Sequence, residues 1–326
     1  MDFNFSFQLN SISNDSSKLE NETIYDLLVL GAGPAGLNAA LYGVRKGLKV
    51  GVLGSRKGGQ AVDTSYVDNV LGMPGMTGEG LMRQFWEHVE DNGVPIQEEA
   101  EIVTYQPEGK LHEVVLATGD TYRSKSLVIA TGATPRRLGI PGESDFFGKG
   151  VAYCAICDGP LFKGKDVFVV GGGNSAVESA LDLAKVVNTV TIVHRSKFRA
   201  DKVLTDQLAS KSNIKVCLDT QIREILGSDF MTGILVEDTR TSQQRILEGQ
   251  GVFVEIGLVP STKPFLKHLH TNEQGEIITT IRGETNLPGV FAAGDVTDVP
   301  YKQIITAMGA GATAALSAND YINQLS

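Results

Sequence analysis

Short apolar runs, each followed by a glycine turn and a stretch with helical spacing, occur twice along the chain. The first run is Leu27 to Leu30, followed by "GAGPAGLNAALYGVRKG" and a second apolar run in "LKVGVLGS". The second copy starts at Val167 to Val170 and passes through a glycine turn and a helix from Ala176 to the apolar run "VTIV". Apolar runs that alternate with helices are typical of βαβ units with parallel strands.

The two copies begin 140 residues apart, at Gly31 and Gly171, which suits two nucleotide-sized domains better than a repeat array. A late strand and turn in "GVFAAGDVTD" and a helix through "AMGAGATAALSANDYI" continue the first domain after the second has ended. Gly and Pro interrupt the pattern near residues 131–135 and 259–264, where we place the linkers. The sequence therefore predicts an α/β fold of two Rossmann-like dinucleotide-binding domains, the second inserted into the first.

The first 23 residues precede both copies of the pattern. Phe3, Phe5, Phe7 and Leu9 alternate with polar residues, which fits either a half-buried strand or a poorly ordered tail. Residues 10–23 are rich in Ser, Asn and Asp. We therefore expect residues 1–23 to form a flexible N-terminal extension.

Composition narrows the classes of protein. The 326 residues include 29 Lys and Arg against 38 Asp and Glu, a net charge of -9 that argues against nucleic acid as a partner. No run of eighteen apolar residues is present, so no membrane span is expected. The N-terminus lacks the cationic and apolar regions of a secretory signal, and three cysteines do not make a disulfide framework. A cytoplasmic setting is expected, where a close cysteine pair is catalytic or binds metal.

Gly31, Gly33 and Gly36 form a G-x-G-x-x-G motif between the first apolar run and its helix. In such a turn the glycines allow a tight bend, close approach of a pyrophosphate, and packing of helix on strand, while the helix N-terminus favours the negative charge. The motif predicts dinucleotide binding. The acid usual at the end of the second strand is absent, because Gly54 and Ser55 stand there.

The second glycine turn has Gly171 and Gly173, with Ala176 in place of the third glycine, which the motif allows. His194, Arg195, Lys197 and Arg199 follow the next strand. Cations at this point suit the 2′-phosphate of NADPH, whereas an acid would suit the free hydroxyl of NADH. The alternative is a solvated basic turn without a ligand.

The segment "YCAICDG" carries two cysteines, Cys154 and Cys157, with two residues between them. Zinc needs about four ligands, and neither a second cysteine pair nor clustered histidines accompany this one. Haem attachment would need His after the second cysteine, where Asp158 stands. A structural disulfide closing so short a loop would constrain little. A redox role is therefore favoured, with Asp158 as the acid/base and His194 as the other titratable candidate.

The motifs "GAGPAG", "GGQ", "YCAICDG", "GGGNSA" and "FAAGDVTDVPYKQI", in this order, resemble those of the low-molecular-weight thioredoxin reductases. They also resemble the flavoprotein half of the alkyl hydroperoxide reductase F subunit. The resemblance covers residues 24 to about 323. It implies a homodimer with an FAD-binding domain over residues 24–134 and 262–326, and an NAD(P)H-binding domain over residues 135–261 that carries the redox disulfide. The inserted domain is expected to rotate, so that either the nicotinamide or the disulfide meets the flavin.

The resemblance also implies roles for individual residues. For FAD these are Gly31, Gly33, Pro34, Ala35 and Gly36 at the pyrophosphate, Gln60 and Asn69 near the flavin, Gly294 and Asp295 at the ribityl and phosphate region, and Gln303 and Ile304 near the isoalloxazine ring. For NADPH they are Gly171, Gly173, Asn174, Ser175, Ala176, His194, Arg195 and Arg199. Cys154 would attack the partner's disulfide, Cys157 would be the thiol next to the flavin, and Asp158 the acid/base. No metal site is expected.

Two departures from the family bear on the electron donor and the partner. The phosphate-binding pattern H-R-R-x-x-x-R is replaced by "HRSKFR", which is one residue shorter and one arginine poorer. The segments "CDGPLFKGK", "GLVPST" and "PYKQII" resemble more closely the peroxide-reductase flavoprotein, whose N-terminal thioredoxin-like domains are not expected in the short segment before Gly31. Electrons would then leave to a separate small redox protein.

The sequence thus predicts an FAD-dependent thioredoxin-disulfide reductase that uses NADPH and delivers electrons to thioredoxin or a thioredoxin-like protein. One alternative is a reductase of the same fold that uses NADH or ferredoxin and serves a peroxiredoxin-linked redoxin. A nucleotide-binding redox sensor with little turnover is the alternative from another class.

Overall fold

The computed structural model describes residues 19–64 and 67–325. The alternating segment 3–9 and most of the expected N-terminal extension lie outside the described residues. The described chain divides into two compact units. The first contains residues 19–61, 82–132 and 260–325, and the second contains residues 62–64, 67–81 and 133–259.

The described residues form strands and helices in an α/β arrangement. The strands are β1 (Ile24–Leu30), β2 (Val50–Leu53), β3 (Ile96–Gln97), β4 (Ile102–Glu108), β5 (Leu111–Leu116), β6 (Thr121–Ile129), β7 (Ala133–Pro135), β8 (Val151–Ala152), β9 (Asp166–Val170), β10 (Thr189–Val193), β11 (Ile214–Cys217), β12 (Thr220–Gly227), β13 (Met231–Asp238), β14 (Gln244–Glu248), β15 (Gly251–Val254), β16 (Leu258–Pro260) and β17 (Val290–Ala292). The helices are α1 (Pro34–Arg45), α2 (Gly78–Glu90), α3 (Ala155–Asp158), α4 (Asn174–Leu183), α5 (Lys202–Ala209) and α6 (Ile304–Leu325). Short 3₁₀ turns occupy Gly59–Asp63, Gly159–Phe162, Lys263–Phe265 and Gly294–Val296.

The first unit is built on a seven-stranded sheet in the order β3-β2-β1-β6-β5-β4, with β17 also paired to β6. The strands β3, β2, β1, β6 and β17 run parallel, whereas β4 and β5 pair antiparallel to their neighbours. Leu27, Leu28, Val29 and Leu30 of β1 have no exposed surface. A strand buried on both faces reads as a continuous apolar run, which is why the sequence located it.

The second unit contains a five-stranded parallel sheet in the order β11-β10-β9-β15-β8. A separate antiparallel sheet has the order β12-β13-β14, and β7 pairs with β16. The predicted strands at 167–170 and 190–193 are confirmed as parts of β9 and β10. Because the carboxyl ends of parallel strands share one edge, the turns after β8, β9, β10 and β15 lie at the same edge of this sheet.

Separate apolar cores support the two units. The core of the first unit is built around β1, β5 and β6, with Phe265 and Tyr105 fully buried. The second unit has two clusters, one under α4 that includes Phe253, and one shared with the antiparallel sheet that includes Phe168 and Ile234. Each unit therefore has its own core, as a nucleotide-binding domain requires.

The end of the expected flexible extension is folded. Leu19 is buried in the core of the first unit, in the space left by Gly51, where a Cβ would lie 2.6 Å from the Leu19 Cδ2 atom. The backbone N–H of Glu20 donates a hydrogen bond to the Tyr25 hydroxyl, at 3.0 Å. Residues 19–23 therefore differ from the flexible segment that their polar composition predicts, because Leu19 anchors them.

Within residues 19–64 and 67–325, no helix combines the length and the apolar character that a membrane span requires.

Candidate active site

The first glycine turn joins β1 to α1 through backbone contacts that leave no room for side chains. Gly31 has a φ of 120°, and a Cβ there would overlap the carbonyl oxygen of Ala130. A Cβ on Gly36 would overlap the carbonyl oxygen of Gly31. Gly33 precedes the helix in an extended conformation without a side-chain cap, and Pro34 opens the helix. The N-terminal amides of α1 thus face a turn that only glycine can build, which suits an approaching anion.

Other predicted flavin-site residues of the first unit lie beside this turn. A Cβ on Gly59, next to Gln60, would lie 3.2 Å from the Gly33 Cα atom. Gly294 has a φ of 77°, and a Cβ there would lie 2.9 Å from the Cβ of Ala35. The structure therefore brings the loop before Gln60 and the turn at Gly294 against the glycine turn.

The long helix α6 closes on α1 in the same unit. A Cβ on Gly311 would overlap the carbonyl oxygen of Ala35, and the Asn38 side-chain amide donates to the Met308 carbonyl at 2.7 Å. Small residues at this crossing bring the two backbones close. Because α6 begins at Ile304, directly after Gln303, this packing fixes both residues in the unit that contains the first glycine turn.

Asp295 is a partly buried carboxyl beside the first glycine turn. Burial raises its pKa, and the neighbouring Lys302 ammonium opposes this rise. Lys302 makes an ion pair with Glu276 at 3.0 Å and donates to the Thr297 carbonyl. The Gly294–Val296 turn is therefore held by a cation that belongs to the same segment of chain.

Asn69 is placed differently from the other predicted flavin contacts. It is exposed and lies in residues 67–81, which group with the second unit, whereas the remaining ten predicted residues group with the first. The sequence motif around Asn69 gave no sign of this grouping, since residues 62–81 lie between two segments of the first unit. Its role at the flavin stays a prediction.

The second glycine turn joins β9 to α4 and has a backbone conformation similar to that of the turn between β1 and α1. Gly171 has a φ of 151°, and a Cβ there would overlap the carbonyl oxygen of Glu255 and lie 2.7 Å from the Cβ of Ala176. Gly173 is extended and has no side-chain cap, and a Cβ on it would meet no atom within 4 Å. No described residue lies close enough to require glycine at Gly173, so the space that a side chain would fill is open to a ligand.

The His194 side chain packs against Gly172 in this turn. Its ring is only 8% exposed and stacks on Phe198, with ring centroids 6.3 Å apart, while Nε2 lies 3.2 Å from the Ser196 hydroxyl oxygen. A Cβ on Gly172 would overlap the ring. Burial lowers the His194 pKa, and the nearby Arg199 and Arg195 charges lower it further. A neutral, packed imidazole is a poor phosphate ligand, although its role in binding stays a prediction.

The two arginines of the same segment are exposed. The backbone N–H of Arg199 donates to the Gly172 carbonyl at 2.7 Å, which holds this segment against the glycine turn. Asn174 exchanges hydrogen bonds of 2.9 Å with Asp201, joining the start of α4 to the start of α5, and Ser175 is exposed. The second unit therefore combines a glycine turn, a helix N-terminus and exposed guanidinium groups.

The cysteine pair lies at the start of α3. Cys154 and Cys157 form a disulfide, with Cα atoms 5.3 Å apart. Cys154 is the N-cap residue, and its sulfur accepts a hydrogen bond from the Cys157 N–H at 3.2 Å. Both cysteines are partly exposed, and Ile156 between them is 60% exposed. The pair thus has access to solvent and lies in the same unit as the second glycine turn.

Asp158 follows Cys157 at the end of α3 and is partly buried. Burial raises its pKa to about 6. A carboxyl with this pKa exchanges protons near neutral pH, as an acid/base for thiol chemistry must.

Sequence reasoning missed a second carboxyl at this edge of the sheet, Glu255. It directly follows β15, and burial raises its pKa to about 7. The Ser179 hydroxyl of α4 donates to Glu255 Oε1 at 2.9 Å, and the carboxylate also interacts with the Ala155 backbone N–H of α3. A signal was available, because an acid directly after four buried strand residues lies where parallel-sheet ligands bind.

The described ranges 19–64 and 67–325 contain no group of three or more His, Cys, Asp or Glu side chains arranged to hold a metal ion.

Comparisons with known proteins identify relatives over nearly the whole chain. A family model described as pyridine nucleotide-disulphide oxidoreductase matches residues 25–311. The F subunit of alkyl hydroperoxide reductase from Staphylococcus aureus is 44% identical over 309 residues, covering 94% of this chain and 61% of that protein. Thioredoxin reductase of Streptococcus pyogenes has a TM-score of 0.87 at 36% identity, covering 92% of this chain and 99% of that one. Thioredoxin reductase of Giardia duodenalis has a TM-score of 0.88 at 31% identity, covering 93% and 100%.

The chain spans 61% of the length of the curated relative from Staphylococcus aureus. The resemblance inferred from the five motifs is confirmed, and so is the α/β fold of two Rossmann-like domains.

Proposed function

Because the chain belongs to the pyridine nucleotide-disulphide oxidoreductase family, we propose that it is a flavin-dependent disulfide reductase. It takes electrons from NADPH and delivers them, through FAD and the Cys154–Cys157 pair, to a disulfide of thioredoxin or a thioredoxin-like protein. The observation that carries the proposal is the presence of this disulfide in one compact unit with the Gly171–Ala176 turn. A reductase of this kind needs a donor site and an exchangeable disulfide, and on this proposal both would lie in that unit.

The first unit fits FAD. A Cβ on Gly33 would face only the backbone of Gly58 and Gly59, both 3.9 Å away, so the turn leaves a cradle that a side chain would fill. When bound, FAD supplies the two-electron transfer between NADPH and the disulfide. The residues of this unit that would hold it are Gly31, Gly33, Pro34, Ala35, Gly36, Gln60, Gly294, Asp295, Gln303 and Ile304.

NADPH is assigned to the second unit. The turn Gly171–Ala176, with Asn174 and Ser175, would bind the pyrophosphate at the start of α4. Arg195 and Arg199 are exposed and would bind the 2′-phosphate through charge-assisted hydrogen bonds. His194 would act by holding Gly172 and the arginine segment in place, since its ring is buried between them.

The cysteine chemistry follows from thiol–disulfide exchange. In the reduced protein, the Cys154 thiolate attacks one sulfur of the redoxin disulfide, forming a mixed disulfide and releasing the other redoxin sulfur as a thiolate that takes a proton. Cys157 then attacks the Cys154 sulfur, which restores the Cys154–Cys157 bond and releases the second redoxin thiol. Asp158, with a pKa near neutrality, supplies and accepts the protons. The proposed assembly is a homodimer.

The direct test is turnover of oxidised thioredoxin by purified protein with NADPH or with NADH. Cys154→Ser and Cys157→Ser should each lower turnover by about a thousandfold or more, because either change removes the exchangeable disulfide. Cys217→Ser is the matched control and should leave turnover unchanged, since Cys217 is a free thiol on β11. Reduction of the pair without turnover would favour the redox sensor instead.

A second candidate is favoured by the 44% identity with the F subunit of alkyl hydroperoxide reductase. In this alternative the redoxin would serve a hydroperoxide reductase, and NADH or ferredoxin would be the donor. The shortened "HRSKFR" segment supports a weaker NADPH preference. Turnover that needs NADH or reduced ferredoxin, and that rises when a peroxiredoxin and a hydroperoxide are added, would favour this candidate over the first.

A further inference from the structure

Glu255 connects the two functional parts of the second unit. Its carboxylate accepts a hydrogen bond from Ser179 on α4, at 2.9 Å, and interacts with the backbone N–H of Ala155 on α3. The strand β15, which Glu255 follows, pairs in parallel with β8, where Phe253 is level with Ala152, so Glu255 and Cys154 follow neighbouring strands at the same edge of the sheet. The helix α4 begins in the second glycine turn, and α3 carries the disulfide. A Cβ on Gly171 would overlap the Glu255 carbonyl oxygen, so the backbone of Glu255 lies directly against the same turn. Neither the proposed exchange chemistry nor the proposed nucleotide contacts use this carboxyl.

We propose that Glu255 is a positioning residue that tunes the redox pair: its carboxylate lies beside the Ala155 N–H next to Cys154 and lowers the reduction potential of the Cys154–Cys157 disulfide. The inference deepens the proposed disulfide reductase function and rests on it.

The direction of the effect follows from electrostatics. Cys154 precedes Ala155, and its sulfur already takes the Cys157 N–H. A thiolate formed there on reduction is stabilised by the backbone N–H groups of α3. A carboxylate beside the Ala155 N–H competes for that stabilisation and also repels the thiolate, because both groups are negative. A less stable thiolate makes the dithiol less stable relative to the disulfide. The pair is therefore a stronger reductant while Glu255 is ionised.

The effect should depend on pH, because Glu255 changes charge near neutrality. Burial is the main cause of its raised pKa of about 7, and the bonds from Ser179 and Ala155 oppose the rise. The ionisable groups on the elements around it are Asp158 on α3, Glu178 and Asp182 on α4, Asp166 on β9, His194 and Arg199 after β10, and Arg136, whose backbone N–H donates to the Gly257 carbonyl. Of these, Asp158 has a pKa of about 6, so both carboxyls are ionised above pH 8.

The test is the equilibrium of the purified protein with glutathione, in which two glutathione thiols give up two electrons and two protons. The Cys154–Cys157 bond breaks and glutathione disulfide forms. The reduced fraction is trapped by alkylation and counted by mass spectrometry, at pH 5.5 and at pH 8.5. Glu255→Gln keeps an acceptor for the Ala155 N–H but removes the charge.

We expect Glu255→Gln to shift this equilibrium toward the dithiol by about three- to tenfold at pH 8.5, where tenfold corresponds to about 30 mV for a two-electron couple. At pH 5.5 the variant and the unchanged protein should agree, since Glu255 is then neutral. Glu178→Gln, which neutralises an exposed carboxyl of the same helix, should shift neither value. Ser179→Ala should move the onset of the effect to higher pH, because the hydroxyl favours the ionised form.

Equal equilibria for Glu255→Gln and the unchanged protein at pH 8.5 would overturn the inference. So would a shift of the same size at both pH values, because that would be a structural disturbance rather than a charge effect. The glutathione equilibrium needs neither NADPH nor a redoxin. Failure of the proposed function would therefore appear as absent turnover, independently of these equilibria.

Discussion

The two glycine turns have similar backbone conformations but differ in the residue at the third glycine position of the G-x-G-x-x-G motif. In the first turn, a Cβ on Gly36 would overlap the Gly31 carbonyl oxygen, so strand and helix meet backbone to backbone. In the second turn, Ala176 stands at the equivalent position and packs on Gly171 without needing glycine. Both helices are preceded by an extended glycine without a side-chain cap, Gly33 and Gly173.

The segments that follow the second strand of each copy differ more. After β2, Gly54 packs on Ala32, where a Cβ would meet the Ala32 side chain, so no acid or cation can stand there. After β10, the His194 ring fills the space over Gly172, and two exposed arginines follow it. After the second strand, the first copy therefore has closely packed small residues, whereas the second copy has exposed positive charge. This difference agrees with the binding of different dinucleotides by the two units.

The largest expected effect is on the free energy of unfolding and comes from substitutions at Gly36 and Ala176, the third glycine position of each motif. Gly36→Ala should lower the free energy of unfolding by about 3 kcal/mol or more, because its Cβ can only be accommodated by moving backbone. The reverse change, Ala176→Gly, should cost only about 1 kcal/mol through helix propensity. Thermal unfolding and flavin content measure both. A mild Gly36→Ala would show that the first turn is no tighter than the second.

The second prediction contrasts buried titratable groups of the two units. His112 in the first unit is 5% exposed, bonded to the Tyr105 hydroxyl at 3.0 Å, and burial lowers its pKa from 6.5 to about 4. The unfolded chain therefore binds a proton between these pH values while the folded chain does not. The free energy of unfolding should fall as pH drops from 6.5 to 4, by up to about 3 kcal/mol. Glu255 works in the opposite direction, since its raised pKa favours the folded state below pH 7.

Hydrogen exchange of amides in β5 and β6, measured between pH 4 and pH 7 and corrected for intrinsic exchange, checks this prediction. His112→Gln should flatten the pH profile, and His88→Gln, at an exposed position on α2, should leave it unchanged. A profile that is the same with and without His112 would contradict the assignment.

The third prediction concerns Gly33 and Gly173, where the protein itself tolerates a side chain. A Cβ on Gly173 meets no atom within 4 Å, and one on Gly33 meets only backbone at 3.9 Å. Gly33→Ala and Gly173→Ala should therefore leave the melting temperature of the apoprotein unchanged. If the turns bind pyrophosphates, Gly33→Ala should weaken FAD binding and Gly173→Ala should raise the KM for NADPH, each by about tenfold. Unchanged binding in both variants would leave the turns with a structural role only.

The smallest effect concerns charge in the second unit. Arg199→Gln should raise the KM for NADPH by about fivefold and leave the KM for NADH unchanged, because only NADPH carries the 2′-phosphate. Lys215→Gln is the matched control, a cation of β11 that carries no proposed role. Steady-state kinetics with both donors gives the ratio. An equal effect on both donors would place Arg199 at the shared part of the nucleotide.

Local pattern was enough to locate the βαβ units, both glycine turns and the disulfide, because each depends on residues that are close in sequence. It could not place Leu19, whose burial depends on the absence of a side chain at Gly51. It also could not group residues 62–64 and 67–81 with the second unit. Nor could it find the contacts of Glu255 with Ser179 and Ala155, because both are distant from Glu255 in sequence. His194 looked like a phosphate ligand because its neighbours are cationic, but the fold buries its ring.

The proposed function is tested most directly by asking whether electrons from NADPH reach Cys154 and Cys157. The flavin-loaded protein is mixed anaerobically with NADPH, alkylated, and analysed by peptide mass spectrometry, with the free thiol of Cys217 as the internal standard. We expect Cys154 and Cys157 to be alkylated only after NADPH is added and only when flavin is bound. Flavin that is fully reduced by NADPH while the pair remains a disulfide would contradict the proposed function.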